Sequence, residues 1–103
     1  MPKTFKPDIN YVEPLGRVGV ARKLTAGDPS TSVTLSTGVY RISMRAVGAD
    51  IRYEIGQGAQ TASSSSHFIA NGERLDISVQ SGDTIAVLRN AGTNGTLEIT
   101  ELN

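Results

Sequence analysis

The chain has 103 residues, with ten basic and ten acidic side chains, one histidine and no cysteine. This length fits one domain, and the zero net charge provides no global field that would draw the protein to nucleic acid or to a membrane surface. The absence of cysteine excludes disulfides, thiolate metal sites and cysteine nucleophiles. A domain this small is therefore expected to gain stability in another way, such as oligomerisation.

The charges are unevenly divided along the chain. Residues 1–45 carry seven basic and three acidic side chains, a balance of +4, and residues 46–103 carry three basic and seven acidic ones, a balance of −4. A scatter of solvated charges is the simpler interpretation, and contacts between copies of the chain are the alternative.

The first segment, residues 1–16, differs from the rest. Its three prolines (Pro2, Pro7 and Pro14) disfavour both a helix and a central strand, which predicts an extended arm. The side chains that we expect to anchor this arm on a neighbouring subunit are Phe5, Ile9, Tyr11 and Leu15. Packing of the arm on its own domain is the alternative. The N-terminus lacks the apolar run of a signal peptide, and no stretch approaches the roughly 20 apolar residues of a membrane span, so synthesis in the cytoplasm without export is expected.

Residues 17–103 are predicted to form one β-sandwich domain. A period of two, the pattern of half-buried strands, runs over residues 32–36, 39–47, 50–56, 74–79, 84–89 and 96–100, and Ala86 and Leu88 leave the other face of 84–89 apolar as well. The side chains expected on the inward faces are Val33, Leu35, Tyr40, Ile42, Met44, Ala46, Ile51, Tyr53, Ile55, Leu75, Ile77, Val79, Ile85, Val87, Leu97 and Ile99. Glycine-containing turns fall between these strands, including Asn71-Gly72 and Ser81-Gly82-Asp83. Short alternating strands with regular turns predict an all-β antiparallel sandwich or barrel.

The segment with the most suggestive chemistry is Ser63–His67, in which four serines precede the only histidine. A Ser-His nucleophile needs both side chains within hydrogen-bond reach, but adjacent residues on an extended chain point to opposite faces. No G-x-S-x-G elbow is present. A polar connection between strands is therefore the preferred interpretation, and no catalytic residue is assigned.

Other site classes find little support. One histidine and no cysteine leave only carboxylates as metal ligands, and their spacing matches no calcium loop. The Gly-Gln-Gly at residues 56–58 lacks the rest of a dinucleotide-binding motif. Five aromatic residues and no basic stripe argue against nucleic acid as a partner. Neither a metal nor another cofactor is expected.

Several strand motifs together resemble a group of small virion proteins of tailed bacteriophages. The motifs are V-x-R-I (39–42), I-R-Y-x-I-G (51–56), a Ser/Ala-rich crossover, G-D-T-I-A-V (82–87) and G-T-L-x-I-T-E-L (95–102), and the likeness spans about residues 33–102. The resemblance implies a jelly-roll-like sandwich in which the serine run crosses from one sheet to the other, with His67-Phe68-Ile69 as an apolar plug beneath it. The arm at residues 1–16 has no counterpart in that layout.

The resemblance also implies a function. It suggests a non-enzymatic capsid decoration (cement) protein on the virion surface, which binds the major capsid protein, bridges its subunits and assembles as a homodimer or homotrimer. The alternative is a small β-sandwich module of the head or tail that binds a receptor or carbohydrate. The aromatic residues fall in strands, the arm or the crossover rather than on loops, which disfavours the alternative.

Overall fold

The computed structural model describes residues 17–103, and these residues form eight β-strands without a helix. The strands are β1 (Val18–Ala26), β2 (Thr31–Thr34), β3 (Arg41–Val47), β4 (Ile51–Gly56), β5 (His67–Ile69), β6 (Arg74–Ser78), β7 (Thr84–Arg89) and β8 (Gly95–Leu102). The predicted arm and its four anchor residues, Phe5, Ile9, Tyr11 and Leu15, lie outside the described residues.

The strands form two four-stranded antiparallel sheets, ordered β1-β8-β3-β6 and β2-β7-β4-β5. Consecutive strands alternate between the sheets except for β4 and β5, which are neighbours in one sheet. Eight strands interleaved in this way make a jelly roll. The predicted all-β, jelly-roll-like sandwich is therefore confirmed.

The core lies between the two inner faces. Its fully buried side chains come from both sheets and include Ile42, Met44, Ile51, Ile69, Ile85, Val87, Leu97 and Ile99. Each apolar side chain of this size stabilises the fold by about 1.5–3 kcal/mol on burial. The side chains predicted to face inward are buried or partly buried with one exception, Tyr40.

Tyr40 is 61% exposed, so its predicted inward position is wrong. It precedes β3, which begins at Arg41, and the preceding turn contains Gly38 with a φ of 80°. The alternation of β3 does not extend back through this turn, and Val39 is the buried residue instead.

The predicted role of the serine run as a crossover between sheets is also wrong. Because β4 and β5 pair with each other, residues 57–66 form a wide connection within one sheet. The chain crosses to the other sheet after β5, through the turn at Asn71-Gly72. The apolar plug is only partly correct, since Ile69 is fully buried but Phe68 is 43% exposed.

The opposite charges of the two halves of the chain are mixed in space. Strand β3, with Arg41 and Arg45, lies between β8 and β6, and Arg45 is directly opposite both Glu98 of β8 and Arg74 of β6. The described part of the chain therefore has no separate basic and acidic halves that could bind head to tail.

Two charged side chains meet at the inner side of the β1-β8-β3-β6 sheet. Glu101 of β8 is only 1% exposed, and its Oε2 accepts hydrogen bonds from Arg22 Nε of β1 (2.8 Å) and from the backbone N–H of Ser36 (3.0 Å). Burial on its own would raise the pKa of the Glu101 carboxyl, but the hydrogen bonds from Ser36 and Arg22 outweigh burial and hold this pKa below its ordinary value.

Candidate functional site

A cleft with a volume of about 560 Å³ lies at the β5–β6 side of the sandwich, in the described part of the molecule. Strand β5 has only three residues and pairs with β4 from Ile51 to Tyr53. The last residues of β4 therefore lack a β5 partner, and the two sheets are not closed against each other there. We call this recess the β5–β6 cleft.

The inner part of the cleft is apolar and one side is aromatic. Ile55, Ile77 and Val79 line it and belong to the core or pack against it. Tyr53 and His67 lie opposite each other in the β4–β5 register, and their ring centroids are 5.4 Å apart at an interplanar angle of 36°. The ring pair extends the apolar surface from the core toward solvent.

The rim of the cleft is polar and is organised by Asp83, which is only 5% exposed. One carboxylate oxygen of Asp83 accepts a hydrogen bond from Gln57 Nε2, and the other accepts one from the backbone N–H of Gln80 at 2.8 Å. The backbone N–H of Asp83 donates in turn to the Gln80 carbonyl at 3.0 Å. Asp83 thus closes the turn before β7 and fixes the side chain of Gln57.

The electrostatic character of the cleft is negative. Within residues 17–103, the carboxylate of Asp83 has no ion pair with a lysine, arginine or histidine. Burial raises the pKa of the Tyr53 hydroxyl, and the charges of Glu73 and Glu54 raise it further. An uncompensated carboxylate and a negative field at the aromatic wall favour a neutral or cationic ligand over an anion.

The serine run beside the cleft forms a turn with internal hydrogen bonds. Ser66 is 6% exposed; its Oγ accepts a hydrogen bond from the Ser63 N–H (2.9 Å), and its own N–H donates to the Ser63 carbonyl (3.0 Å). The His67 ring packs on Tyr53 instead. The hydroxyl of Ser66 is thus used within the turn, as expected where ladder pairing lapses, and this geometry agrees with the interpretation of Ser63–His67 as a structural connection.

The outer face of the β2-β7-β4-β5 sheet carries a cation stacked on an aromatic ring. The Arg52 guanidinium lies 4.8 Å from the centroid of the Phe68 ring, and it donates to Asn90 Oδ1 (2.9 Å) and to the Ser66 carbonyl (3.1 Å). These contacts tie β4 to β5 and to the loop after β7, which accounts for the exposure of Phe68 as part of a cation–π pair.

A second exposed apolar region lies at the start of β1, the outer strand of its sheet. Val18 is 76% exposed and Val20 is 47% exposed, and the pairing with β8 is irregular between Val18 and Ala21. Residues 1–16 precede this edge directly in the chain, but the structure does not describe the four predicted anchor residues, so it does not relate them to the edge.

Sequence reasoning did not find the residues of the β5–β6 cleft as a group. Gln57, His67 and Asp83 belong to three separate connections or strand ends, and no local spacing links them. The turn motif Ser81-Gly82-Asp83 was the one signal, since an aspartate after glycine marks a turn, but nothing in it indicates the contact with Gln57.

Two further kinds of feature are absent from residues 17–103. No group of three or more histidine, cysteine, aspartate or glutamate side chains is arranged to hold a metal ion. None of the secondary structure in that range is a helix long and apolar enough to cross a membrane.

Comparisons with known proteins support the fold. No protein-family model matches the chain, and no curated protein matches it. A de novo designed double-stranded β-helix, solved by solution NMR, superposes with a TM-score of 0.55 at 19% sequence identity, over 81% of this chain and 99% of the designed one. At this identity the likeness concerns the fold alone: this chain is similar in architecture to a double-stranded β-helix.

Proposed function

We propose that this chain is a non-enzymatic structural protein of a tailed-bacteriophage virion, which decorates the capsid and bridges subunits of the major capsid protein. The resemblance over residues 33–102 is the source of this proposal, and the jelly-roll topology is compatible with it. Jelly rolls also occur in lectins and cupins, so the fold does not select a function by itself.

The observation that carries the proposal is the exposed apolar edge at the start of β1. Val18 and Val20 are exposed on a strand that pairs, among the described strands, with β8 alone. The other side of an edge strand presents backbone N–H and C=O groups that can pair with another chain. Apolar side chains beside such groups suit a subunit that adds a strand or packs on the edge.

The arm enters the proposal through its place in the sequence. Residues 1–16 contain Phe5, Ile9, Tyr11 and Leu15 and connect through Arg17 to the β1 edge. The proposal treats the arm and the edge as one binding surface for a neighbouring subunit, either the major capsid protein or a second copy of this chain in a homodimer or homotrimer.

The test measures binding to undecorated capsids, together with sedimentation of the free protein. Deletion of residues 2–14 should leave the sandwich folded and reduce capsid occupancy or the oligomeric state. The double variant Val18→Ser/Val20→Ser should weaken capsid binding at least about tenfold, because an apolar side chain of this size contributes about 1.5–3 kcal/mol when covered.

Val47→Ser is the matched control, because Val47 is also exposed, at 39%, but lies on β3 away from the β1 edge. It should bind like the wild type. Mass spectrometry and imaging of intact virions provide the direct check of location. Absence of the protein from purified virions would refute the proposal, and full occupancy by both the deletion and the Val18/Val20 variant would refute the role of this edge.

The alternative function, a receptor- or carbohydrate-binding module, is favoured by one observation, the β5–β6 cleft with its Tyr53–His67 pair. Glycan binding that maps to this cleft, in a protein found at the tail or on head fibres, would support that alternative over capsid decoration.

A further inference from the structure

We propose that the β5–β6 cleft receives a single arginine or lysine side chain from the partner protein. This inference rests on the proposed function, because it names the chemistry of a contact that a capsid-binding protein would make.

The charge of the cleft favours a cation. Asp83 is 5% exposed, and within residues 17–103 its carboxylate is balanced by hydrogen bonds from Gln57 and from the Gln80 backbone, without a cation. Buried carboxylates are normally paired with a cation as well. Two donors leave lone pairs on both oxygens, since an ionised carboxylate offers about four acceptor positions. A cation entering the cleft could use them.

The aromatic wall suits the same ligand. The ring of Tyr53 is fixed against His67 at 5.4 Å, and an aromatic face attracts a guanidinium or ammonium group. This chain already uses that interaction on the other face of the sheet, where the Arg52 guanidinium stacks on Phe68 and its N–H groups find oxygen acceptors. The cleft offers a similar ring and similar acceptors, and no lysine or arginine of residues 17–103 lines it.

The lining accommodates the aliphatic part of such a side chain. Ile55, Ile77 and Val79 provide an apolar surface between the aromatic wall and Asp83. Arginine and lysine bury their methylene groups on surfaces of this kind while the charged end reaches polar groups. The volume of about 560 Å³ is within the range of roughly 300–1,000 Å³ typical of ligand sites.

The rim provides a neutral acceptor that is already oriented. Gln57 Nε2 is held by the carboxylate of Asp83 and by the Ser81 carbonyl at 3.2 Å. The amide is planar, so its Oε1 is directed away from these two acceptors. That oxygen is available to an N–H donor. A guanidinium has several donors in one plane and could reach both Gln57 and Asp83.

A neutral sugar would stack on the aromatic wall of the cleft but would not pair with the Asp83 charge. Stacking on Tyr53 and hydrogen bonds to Gln57 would also hold a neutral ring, whereas the Asp83 carboxylate, which has no ion pair within residues 17–103, favours a cation over a neutral ring. The test therefore compares ligands of matched shape and different charge.

The experiment is an NMR titration of the full chain with N-acetyl-arginine amide, with the citrulline analogue as a neutral probe of nearly the same shape. We expect the arginine probe to shift the signals of Tyr53, Ile55, Gln57 and Asp83. The citrulline probe should bind at least about tenfold more weakly, because a hydrogen bond to a charged group is worth about 1.5–3 kcal/mol. N-acetyl-lysine amide and methyl glucoside complete the series.

Variants separate the charge from the shape of the site. Asp83→Asn retains an oxygen for the Gln80 N–H and should weaken arginine binding about tenfold, whereas the exposed Glu98→Gln on β8 should have no effect. Tyr53→Leu should also weaken binding, with Tyr40→Leu as the control for an exposed tyrosine outside the cleft. If Asp83→Asn unfolds the protein, the arginine–citrulline comparison on the wild type and the Tyr53→Leu variant decide the question.

Equal binding of arginine and citrulline, tighter binding of the glucoside at the same residues, or no shifts at tens of millimolar arginine probe would each overturn the inference. The capsid assay separates its failure from that of the proposed function. Virions that contain the protein, with unchanged occupancy for Asp83→Asn, would refute the cleft contact alone. Selective arginine binding by a protein absent from virions would refute capsid decoration alone.

Discussion

The buried ion pair between Glu101 and Arg22 provides the most quantitative prediction. Glu101 is 1% exposed and faces Ile42 across the β3–β8 pairing. Its ion pair with Arg22 joins residues that are 79 positions apart in the sequence. Replacing Glu101 with leucine removes the acceptor for both Arg22 Nε and the Ser36 N–H. The arginine then remains at the inner side of the sheet without its counter-charge.

The size of the effect follows from the burial of the two partners. Removing one partner of a buried pair costs about 3–5 kcal/mol when the other charge stays trapped. The Arg22 side chain keeps 25% of its surface exposed and can regain water, so we expect the lower end of this range, about 3 kcal/mol, for Glu101→Leu. For a domain of this size, that loss corresponds to a decrease in Tm of about 12–24 °C.

Two further variants separate the contribution of the Glu101 charge to stability from that of its hydrogen bonds. Glu101→Gln retains one oxygen that can accept from both donors but loses the ionic contribution, so the expected loss is about 1–2 kcal/mol. The double variant Arg22→Met/Glu101→Leu removes both charges, and because apolar pairs of similar volume often replace buried ion pairs without loss, it should lie within about 1 kcal/mol of the wild type. The assay is chemical denaturation of the wild type, Arg22→Met, Glu101→Leu and the double variant, analysed as a double-mutant cycle, with Glu101→Gln measured alongside.

The pH dependence has a definite sign. The pKa of Glu101 is lowered in the folded protein, so the stability it contributes is fully present well above its ordinary pKa of 4.5 and is lost as the pH falls through the lower folded value. Because glutamine does not titrate, the difference in stability between the wild type and Glu101→Gln should shrink below about pH 4.5. An additive cycle, or a difference that grows as the pH falls, would refute the proposed role of this pair.

The remaining predictions concern the serine turn and the core. Ser66→Ala should destabilise the fold by about 1 kcal/mol, because the Ser63 N–H loses its acceptor. His67→Gln should leave the fold and the oligomeric state unchanged. A hydrolytic activity that disappears in either variant while the fold persists would restore the catalytic interpretation. Ile85→Ala should lower the unfolding free energy by about 2–5 kcal/mol, because this side chain is fully buried, whereas the exposed Val18→Ala should change it by less than about 0.5 kcal/mol. Equal thermal stabilities of these two variants would show that the assigned strand faces are wrong.

The strands that could be predicted are those whose inward positions are all apolar. In β3, β4 and β6 the alternation is uninterrupted, and β7 is apolar at four consecutive positions, 85–88; the predicted and observed limits of all four strands agree closely. Strand β1 was not singled out because Arg22 occupies one of its inward positions, next to Ile99 in the register with β8. For the same reason the predicted end of β8 stopped at Thr100, one residue before the buried Glu101.

The remaining errors have related causes. Strand β5 has three residues, too few for a period of two to be recognised, and it owes its conformation to pairing with β4. The fully buried Ile69 and the exposed Phe68 are adjacent, so only the pairing of β5 decides which of them faces the core.

The candidate site illustrates the same division between local and distant information. The sequence alone determined the all-β class, the positions of most strands and the turn before β7, because alternation and turn preference depend on neighbouring residues along the backbone. The cleft that unites Tyr53, Gln57 and Asp83, and the ion pair that joins Arg22 to Glu101, were decided by the tertiary structure. Arg22 and Glu101, 79 positions apart, meet because β1 and β8 pair within one sheet. The cleft residues meet, and the Glu101 charge is buried, because the two sheets pack face to face.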